Sequence, residues 1–352
     1  VARGADPLVP EGHVVAWDQF AFPQRASLEP ADRPRLRPPR WEETPTGIVV
    51  RSGDSLLAID RSTGALSDWQ ADGRSFVLAP PRPNFWRPPT DNDYGNGQPV
   101  RSGVWRDAWS TARLVSARIH VEGDSVAYSE YRNLERPDAQ VSQQFQVFGD
   151  ATLLVEQALA PGSEDLPELP RFGMTWRLPA RLSRVEWFGR GPSDNYWDRK
   201  SGSPVGRYSF GVDDLAHLYA RPQETGNRTD VRWVALTDER GEGLLVVGAP
   251  FISFSAYRYA PEDLDGGPVK TQRHVADLVK RDVVTLNIDG WQMGVGGDTS
   301  WGAVPHRPYM IWPQPLRYRF LVRPLRAGDS AGDLAIAMLR TAGLESVLGE
   351  RR

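Results

Sequence analysis

Apolar side chains in this chain recur at every second position in short runs, and Gly, Pro, Asn or Asp cuts each run before a helix could extend through it. Period-2 patterning puts successive side chains on opposite faces of an extended segment, so the chain is driven to fold as strands that bury one row. Residues 251–259 (FISFSAYRY) show the alternation most clearly. A hairpin is written at 231–238 and 244–248, with Glu239-Arg240-Gly241-Glu242-Gly243 as its turn. Residues 47–51, 55–60 and 65–70 form another antiparallel set around Asp60-Arg61-Ser62-Thr63-Gly64. Residues 141–148 and 151–158 pair through Gly149-Asp150, and 283–288 and 318–322 supply late strands. Gly contributes 33 and Pro 30 of the 352 residues, well above the roughly 12% usual for the two together. Amphipathic helical periodicity is confined to 331–348 (AGDLAIAMLRTAGLESVL), and 275–280 is compatible with one short helix. The expected class is all-β, a large antiparallel sandwich.

Four segments follow from these patterns. Residues 1–25 end an upstream domain, through a strand at 14–22 (VVAWDQFAF). Residues 26–45, rich in Pro and Arg, are a linker. Residues 46–325 form the main domain, and 326–352 are a C-terminal tail with helical character. Acidic and basic residues are interspersed and the net charge is −3, so no basic face points to nucleic acid or a membrane surface. Cysteine is absent, which excludes disulfides and thiolate metal sites. The five histidines are scattered, none four residues from another, so a bound metal is not expected. No apolar run is long enough to span a bilayer, and residues 1–10 show no signal-peptide pattern. A cytoplasmic location is the expectation.

Chemistry is expected in three loop-like regions that mix Gly, Asp, Asn and Trp, because carboxylates and amides hydrogen-bond sugar hydroxyls and an indole packs on a pyranose face. The first is 84–97 (NFWRPPTDNDYGNG). Its Asp91, Asn92 and Asp93 read either as a self-capping turn or as a polar loop network at the mouth of a site, with Gly95 and Gly97 as joints of a lid. The second is 186–199 (EWFGRGPSDNYWDR), continued by 221–228 (RPQETGNR); it reads equally as a buried network between loops or as ligand contact. It lacks the third glycine of a dinucleotide fingerprint. The third is 292–306 (QMGVGGDTSWGAVPH). Its glycines allow tight turns, and Trp301 is either a packing anchor or a saccharide wall.

FWRPPTDNDYGNG (85–97), EWFGRGPSDNYWDR (186–199), RPQETGNR (221–228) and MGVGGDTSW (293–301), in this order, resemble the C-terminal domain of the β-galactosidases of glycoside hydrolase family 2. The likeness covers about residues 46–324. Residues 7–23 (PLVPEGHVVAWDQFAFP) resemble the last strands of the immunoglobulin-like β-sandwich that precedes it in that family. The resemblance implies a supersandwich similar to galactose mutarotase, lying against a catalytic TIM barrel. It implies that Gly95, Asn96 and Gly97 belong to a mobile active-site loop, and that Trp301, with Asp298 beside it, contacts the substrate.

It also implies hydrolysis of terminal β-D-galactosides with retention. That chemistry needs two carboxylic acids about 5–5.5 Å apart, which the resemblance assigns to the upstream barrel. No catalytic residue is therefore expected in this chain, and Glu130 in Ser129-Glu130-Tyr131 is assigned to the sandwich. No cofactor is expected on this chain; magnesium and sodium belong to the complete enzyme. Its partners would be the galactoside, the barrel on the same or a separate large chain, and further copies in a homo-oligomer. A free-standing carbohydrate-binding module and a mutarotase-like enzyme are the alternatives.

Overall fold

The computed structural model describes Gly4 and residues 8–20, 36–299 and 302–349. The chain divides into two units, Val1–Pro30 and Ala31–Arg352. In the first, residues 14–20 form no strand, contrary to the reading of 14–22, whose last two residues lie outside the described residues. Val15, Trp17 and Phe20 are exposed, and an extended segment with no ladder neighbour cannot hold itself as a strand in water.

The second unit begins with an antiparallel meander of β1 (Arg40–Thr44), β2 (Gly47–Ser52), β3 (Ser55–Asp60), β4 (Leu66–Ala71) and β5 (Arg74–Ser75). β1 lies inside the expected linker 26–45, which must be shortened accordingly. Pairing with β2, Trp41 opposite Val50, recruits it. As an exposed edge strand it needs no alternating pattern, so its sequence did not reveal it. The turn after β3 follows from Asp60: its Oδ1 accepts from Ser62 N at 3.0 Å and Thr63 N at 2.8 Å and from both hydroxyls.

The larger sheet contains β6 (Ala79–Asn84), β7 (Ala112–Glu122), β8 (Ser125–Leu134), β9 (Ala139–Phe148), β10 (Leu153–Pro161), β11 (Arg171–Pro179), β12 (Arg184–Arg190), β13 (Val205–Gly211), β14 (Arg228–Thr237), β15 (Gly243–Tyr257), β16 (Val283–Gln292) and β17 (Leu316–Leu325). Its order is β13–β12–β14–β15–β17–β10–β9–β8–β7, with β16, β11 and β6 branching from β15. The strands expected at 244–248 and 251–259 are one strand. The first half of β15 pairs with β17, Gly243 opposite Leu325, and the second half with β16, Ser253 opposite Asp289. The turn back is tight at Gly248, where an added Cβ would stand 2.8 Å from Ile252 N. One strand thus feeds two layers, and the core fills the space between them. Trp176 of β11 lies against Trp69 of β4 at 6.3 Å and edge-on to Phe320 of β17 at 6.4 Å, while Phe172 meets Tyr318 edge-on at 5.3 Å. Such pairs contribute about 0.5–1.5 kcal/mol each beyond their buried area.

Among the described residues four α-helices accompany the strands: α1 (Asp91–Gly95), α2 (Gln98–Arg101), α3 (Pro261–Leu264) and α4 (Ala331–Thr341). Residues 275–277 form only a single 3₁₀ turn. No described helix is long and apolar enough to cross a membrane. α4 starts at Ser330, whose hydroxyl accepts from Asp333 N. It covers the outer face of β14, β15 and β17, burying Met338 and Leu339 with Trp233, Leu245, Val247 and Leu321. Residues 331–347, within the 326–352 segment expected as a tail, are thus part of the domain's packing.

Met338→Ala should lower stability by about 2–5 kcal/mol, the usual cost of removing a fully buried side chain of this size. Urea unfolding monitored by circular dichroism measures it, and a midpoint equal to the parent's would show that α4 is not part of the cooperative unit.

Candidate functional site

Strands β6, β11, β16 and the second half of β15 form a sheet with two unlike faces. Met174, Trp176, Val284, Leu286 and Ile288 point into the apolar core. The alternate positions are polar: Thr175, Thr285, Asn287, Asp289, Ser253 and Ser255. Polar positions in alternation ordinarily mark a solvent face. Here Thr285, Asn287, Asp289, Ser253 and Ser255 are almost wholly buried, because loops cover them. Their polar groups must then find partners within the protein. Asn84 Nδ2 donates to Thr175 Oγ1 at 3.0 Å, which donates to Asn287 Oδ1 at 2.7 Å, and Asn287 Nδ2 donates to Ser255 Oγ at 2.9 Å and the Tyr257 hydroxyl at 3.0 Å. A hydrogen-bonded row thereby crosses four strands.

The covering loops are the four segments singled out in the sequence, tied to one another. Thr90 caps α1: its hydroxyl accepts from Asp93 N at 3.1 Å, and Asp93 Oδ2 accepts from Thr90 N at 2.9 Å. This fixes the Asp93 carboxylate where Arg87 Nη2 reaches it at 3.0 Å. Arg87 also donates to Gly294 O at 2.8 Å and to Met293 O, so the first segment holds the fourth. Asn92 Nδ2 adds a bond to Val295 O at 3.0 Å. Asp198 of the second segment accepts from Val295 N at 3.1 Å and Gly296 N at 2.7 Å. Asp91 of the first accepts from Arg221 Nε at 3.0 Å, Gln223 Nε2 at 3.1 Å and Lys270 Nζ at 2.7 Å, joining the third. Asn195 and Asn227 exchange bonds between the second and third: Asn195 N donates to Asn227 O at 2.8 Å, and Asn227 Nδ2 to Asn195 O at 2.7 Å. Of the readings weighed for Asp91–Asp93, the self-capping turn is present, and the same residues also bind the neighbouring loops.

Gly294, Gly296 and Gly297 are absent from the residues with positive φ. Their need for glycine comes from close approach: a Cβ on Gly294 would stand 2.6 Å from Asp198 Oδ2, and one on Gly297 2.5 Å from Ala303 O. Gly97, in contrast, has φ +74° and starts α2, while Gly95 ends α1. Asn96 lies between them, its Oδ1 accepting from Gln98 N at 3.1 Å and its backbone carbonyl from Arg101 Nη1 at 2.7 Å. Residues 95–97 thus join two short helices. Asp298 is exposed and pairs with His306 Nε2 at 2.8 Å. Trp301 lies outside the described residues.

Arg171 and Asp289 were not legible in the sequence. Arg171 is buried at the base of the loops, where its Nη2 donates to both oxygens of Glu224 at 3.1 Å and its Nε stands 3.3 Å from Asp289 Oδ2. Gln292 Nε2 donates to Glu224 Oε1 at 2.8 Å. Neither Asp289 oxygen accepts a hydrogen bond, and burial pushes its carboxyl up to about 7 against the opposing pull of Arg171. Burial raises Glu224 as well. The available signal was a charged residue at an alternate position of a strand, which period-2 reading assigns to solvent. Both carboxylates are fully shielded from solvent and spent on Arg171, so they are structural. Among the described residues no group of three or more His, Asp and Glu side chains could hold a metal ion.

The profile of the family described as Beta galactosidase small chain matches residues 51–322. A beta-galactosidase of Priestia megaterium is 34% identical over 317 residues, 89% of this chain and 30% of that protein. One from Vibrio cholerae is 33% identical over 338 residues, 92% of this chain and 31% of that protein. One from Halalkalibacterium halodurans is 32% identical over 307 residues, 86% of this chain and 29% of that protein. The chain therefore spans about 30% of the length of these curated relatives. Among solved structures, a galactose 1-epimerase from Lactobacillus acidophilus matches at a TM-score of 0.45 and 8% identity, over 82% of this chain and 99% of that one.

The raised carboxyl of Asp289 gives stability a pH dependence of definite sign. Between its unfolded value near 3.8 and its folded value near 7, the native state keeps a proton that the unfolded chain releases. This contribution therefore falls as pH rises through that window and is level above it. In urea unfolding between pH 5 and 8, Asp289→Asn should lose stability less steeply with rising pH than the parent chain. Parallel pH profiles for the two would show that Asp289 does not titrate in this way.

Proposed function

The chain belongs to the beta-galactosidase small-chain family, and on that premise we propose that it is the C-terminal part of a β-galactosidase that hydrolyses terminal β-D-galactosides by a retaining mechanism. The acid/base and nucleophilic glutamates lie on a TIM barrel upstream or on a separate large chain. This part completes the sugar site: Trp301 forms an apolar wall for the sugar, Asp298 stands beside it, and residues 95–97 close over the bound galactoside. Magnesium and sodium belong to the complete enzyme and sit with its upstream part. The complete enzyme is a cytoplasmic homo-oligomer.

The observation that carries this reading is the tie between the 85–97 and 293–301 segments, made by Arg87 and Asn92 through the carbonyls of Met293, Gly294 and Val295. It couples the segment carrying the proposed lid to the segment carrying the proposed sugar wall. Asp198 holds that second segment from the other side.

In the complete enzyme, Trp301→Ala should raise KM for a galactoside about tenfold or more, the loss of roughly 1.4 kcal/mol or more of apolar contact. Deleting residues 96–98 should lower kcat through impaired closure. Steady-state kinetics on a chromogenic β-galactoside measures both, and unchanged constants in the Trp301 variant would assign the wall to another residue.

A further inference from the structure

The polar face of the β6–β11–β16–β15 sheet is only partly covered by the four loops. Beyond them it opens into a groove of about 810 Å³, within the range of small-molecule sites. Arg82, Asn84, Thr175 and Arg177 line its floor, with the α3 region on one side and residues 106–110 on the other. A second hollow of about 290 Å³ shares Pro80, Arg82, Trp109 and Ser110 with it, so a longer ligand can run from one into the other past Trp109.

We propose that this groove, beside the four-loop cluster and bounded on that side by Trp86 and Pro88 of its first segment, is a binding site for a neutral oligosaccharide. Three observations converge on that class. The first concerns the strand along the floor. Among the described residues β6 pairs only with β11, and three of its six residues, Pro80, Pro81 and Pro83, have no N–H to donate. That edge offers carbonyl acceptors without the alternating donors a further protein strand requires. Hydroxyl-rich ligands supply donors and need no such alternation.

The second observation is charge. Arg82, Arg106 and Arg177 are matched by Asp107, Glu262 and Asp265 around the groove, which favours neither an anion nor a cation. The third is the disposition of polar and aromatic groups. The side chains of Arg82 and Asp107 are exposed and bind no other described side chain, while the half-buried indole of Trp109, with Arg132 over one face at 5.2 Å, lines both hollows. An indole between charged hydrogen-bonding groups suits a pyranose, which has a C–H face and a hydroxyl rim.

The test is titration calorimetry of the 352-residue chain with β-1,4-galactotetraose, and with tetragalacturonate as the anionic comparison. Saturable binding of the neutral sugar in about the millimolar range or tighter is expected, with the anion binding more weakly. Trp109→Ala and Asp107→Asn should each weaken binding of the neutral sugar about tenfold. Asp107 is exposed and unpartnered, so its variant keeps the fold, as thermal melting would verify. Three results would each overturn the proposal: no saturable binding of the neutral sugar, equal binding of the anion, or indifference to both groove variants. Binding lost in Trp301→Ala alone would place the sugar at the four-loop cluster, overturning the groove site while favouring the reading under Proposed function.

Discussion

Arg87 is a permanent cation with no part of its side chain in contact with solvent. A charge in that position is tolerable only if it is paired and hydrogen-bonded, and the loops around it are arranged to do both. Asp93 supplies the counter-charge, held in place by the cap it forms with Thr90. The carbonyls of Met293 and Gly294 accept from its Nη1 and Nη2. Breaking one partner of such a pair costs about 3–5 kcal/mol, and the bonds from Arg87 to the carbonyls of Met293 and Gly294 join the first loop segment to the fourth. The arrangement specifies a geometry as much as it stabilises one: Arg87 fits only when α1 has formed and the 293–296 backbone has arrived.

A second buried cation repeats the logic one layer deeper. Arg171 reaches Glu224 from the third segment and Asp289 on the polar sheet face. Asp198 closes the set by gripping Val295 and Gly296. Four stretches far apart in the chain are thereby held over one face of a rigid sheet, while the opposite face is anchored in an aromatic core. The same packing leaves the Asp289 oxygens without hydrogen bonds.

Much of the fold was legible because turns and alternation are local. The hairpins around Asp60, Asp150 and 239–243 follow from residues adjacent in sequence, and they stand where the pattern put them. β1 and β11 were hidden for opposite reasons: β1 is an exposed edge strand with no buried row, and most of β11 is buried on both faces. The separation of 244–248 from 251–259 failed because a strand can turn between layers without ending. For the site, the Gly, Asp, Asn and Trp mixture marked the right segments, but which loop holds which is decided by tertiary distance. Arg171 and Asp289 escaped because a polar row on a strand reads as solvent-facing unless the loops covering it are known. The glycines of 294–297 were marked for the tight turns they allow, and the structure adds a reason the sequence could not show, the close approach of Asp198 to Gly294 and of Ala303 to Gly297.

If the buried carboxylates serve structure and catalysis belongs to the upstream barrel, the division should appear in the simplest assay. The most direct measurement is hydrolysis of a chromogenic β-galactoside by the purified chain, alone and after mixing with the separately produced upstream part. No turnover by the chain alone across pH 5–8, and turnover on mixing, is the expected result. Activity of the chain alone that survives repurification would mean that a catalytic carboxylate pair lies within these 352 residues, and would contradict the assignment of Glu224 and Asp289 to structure.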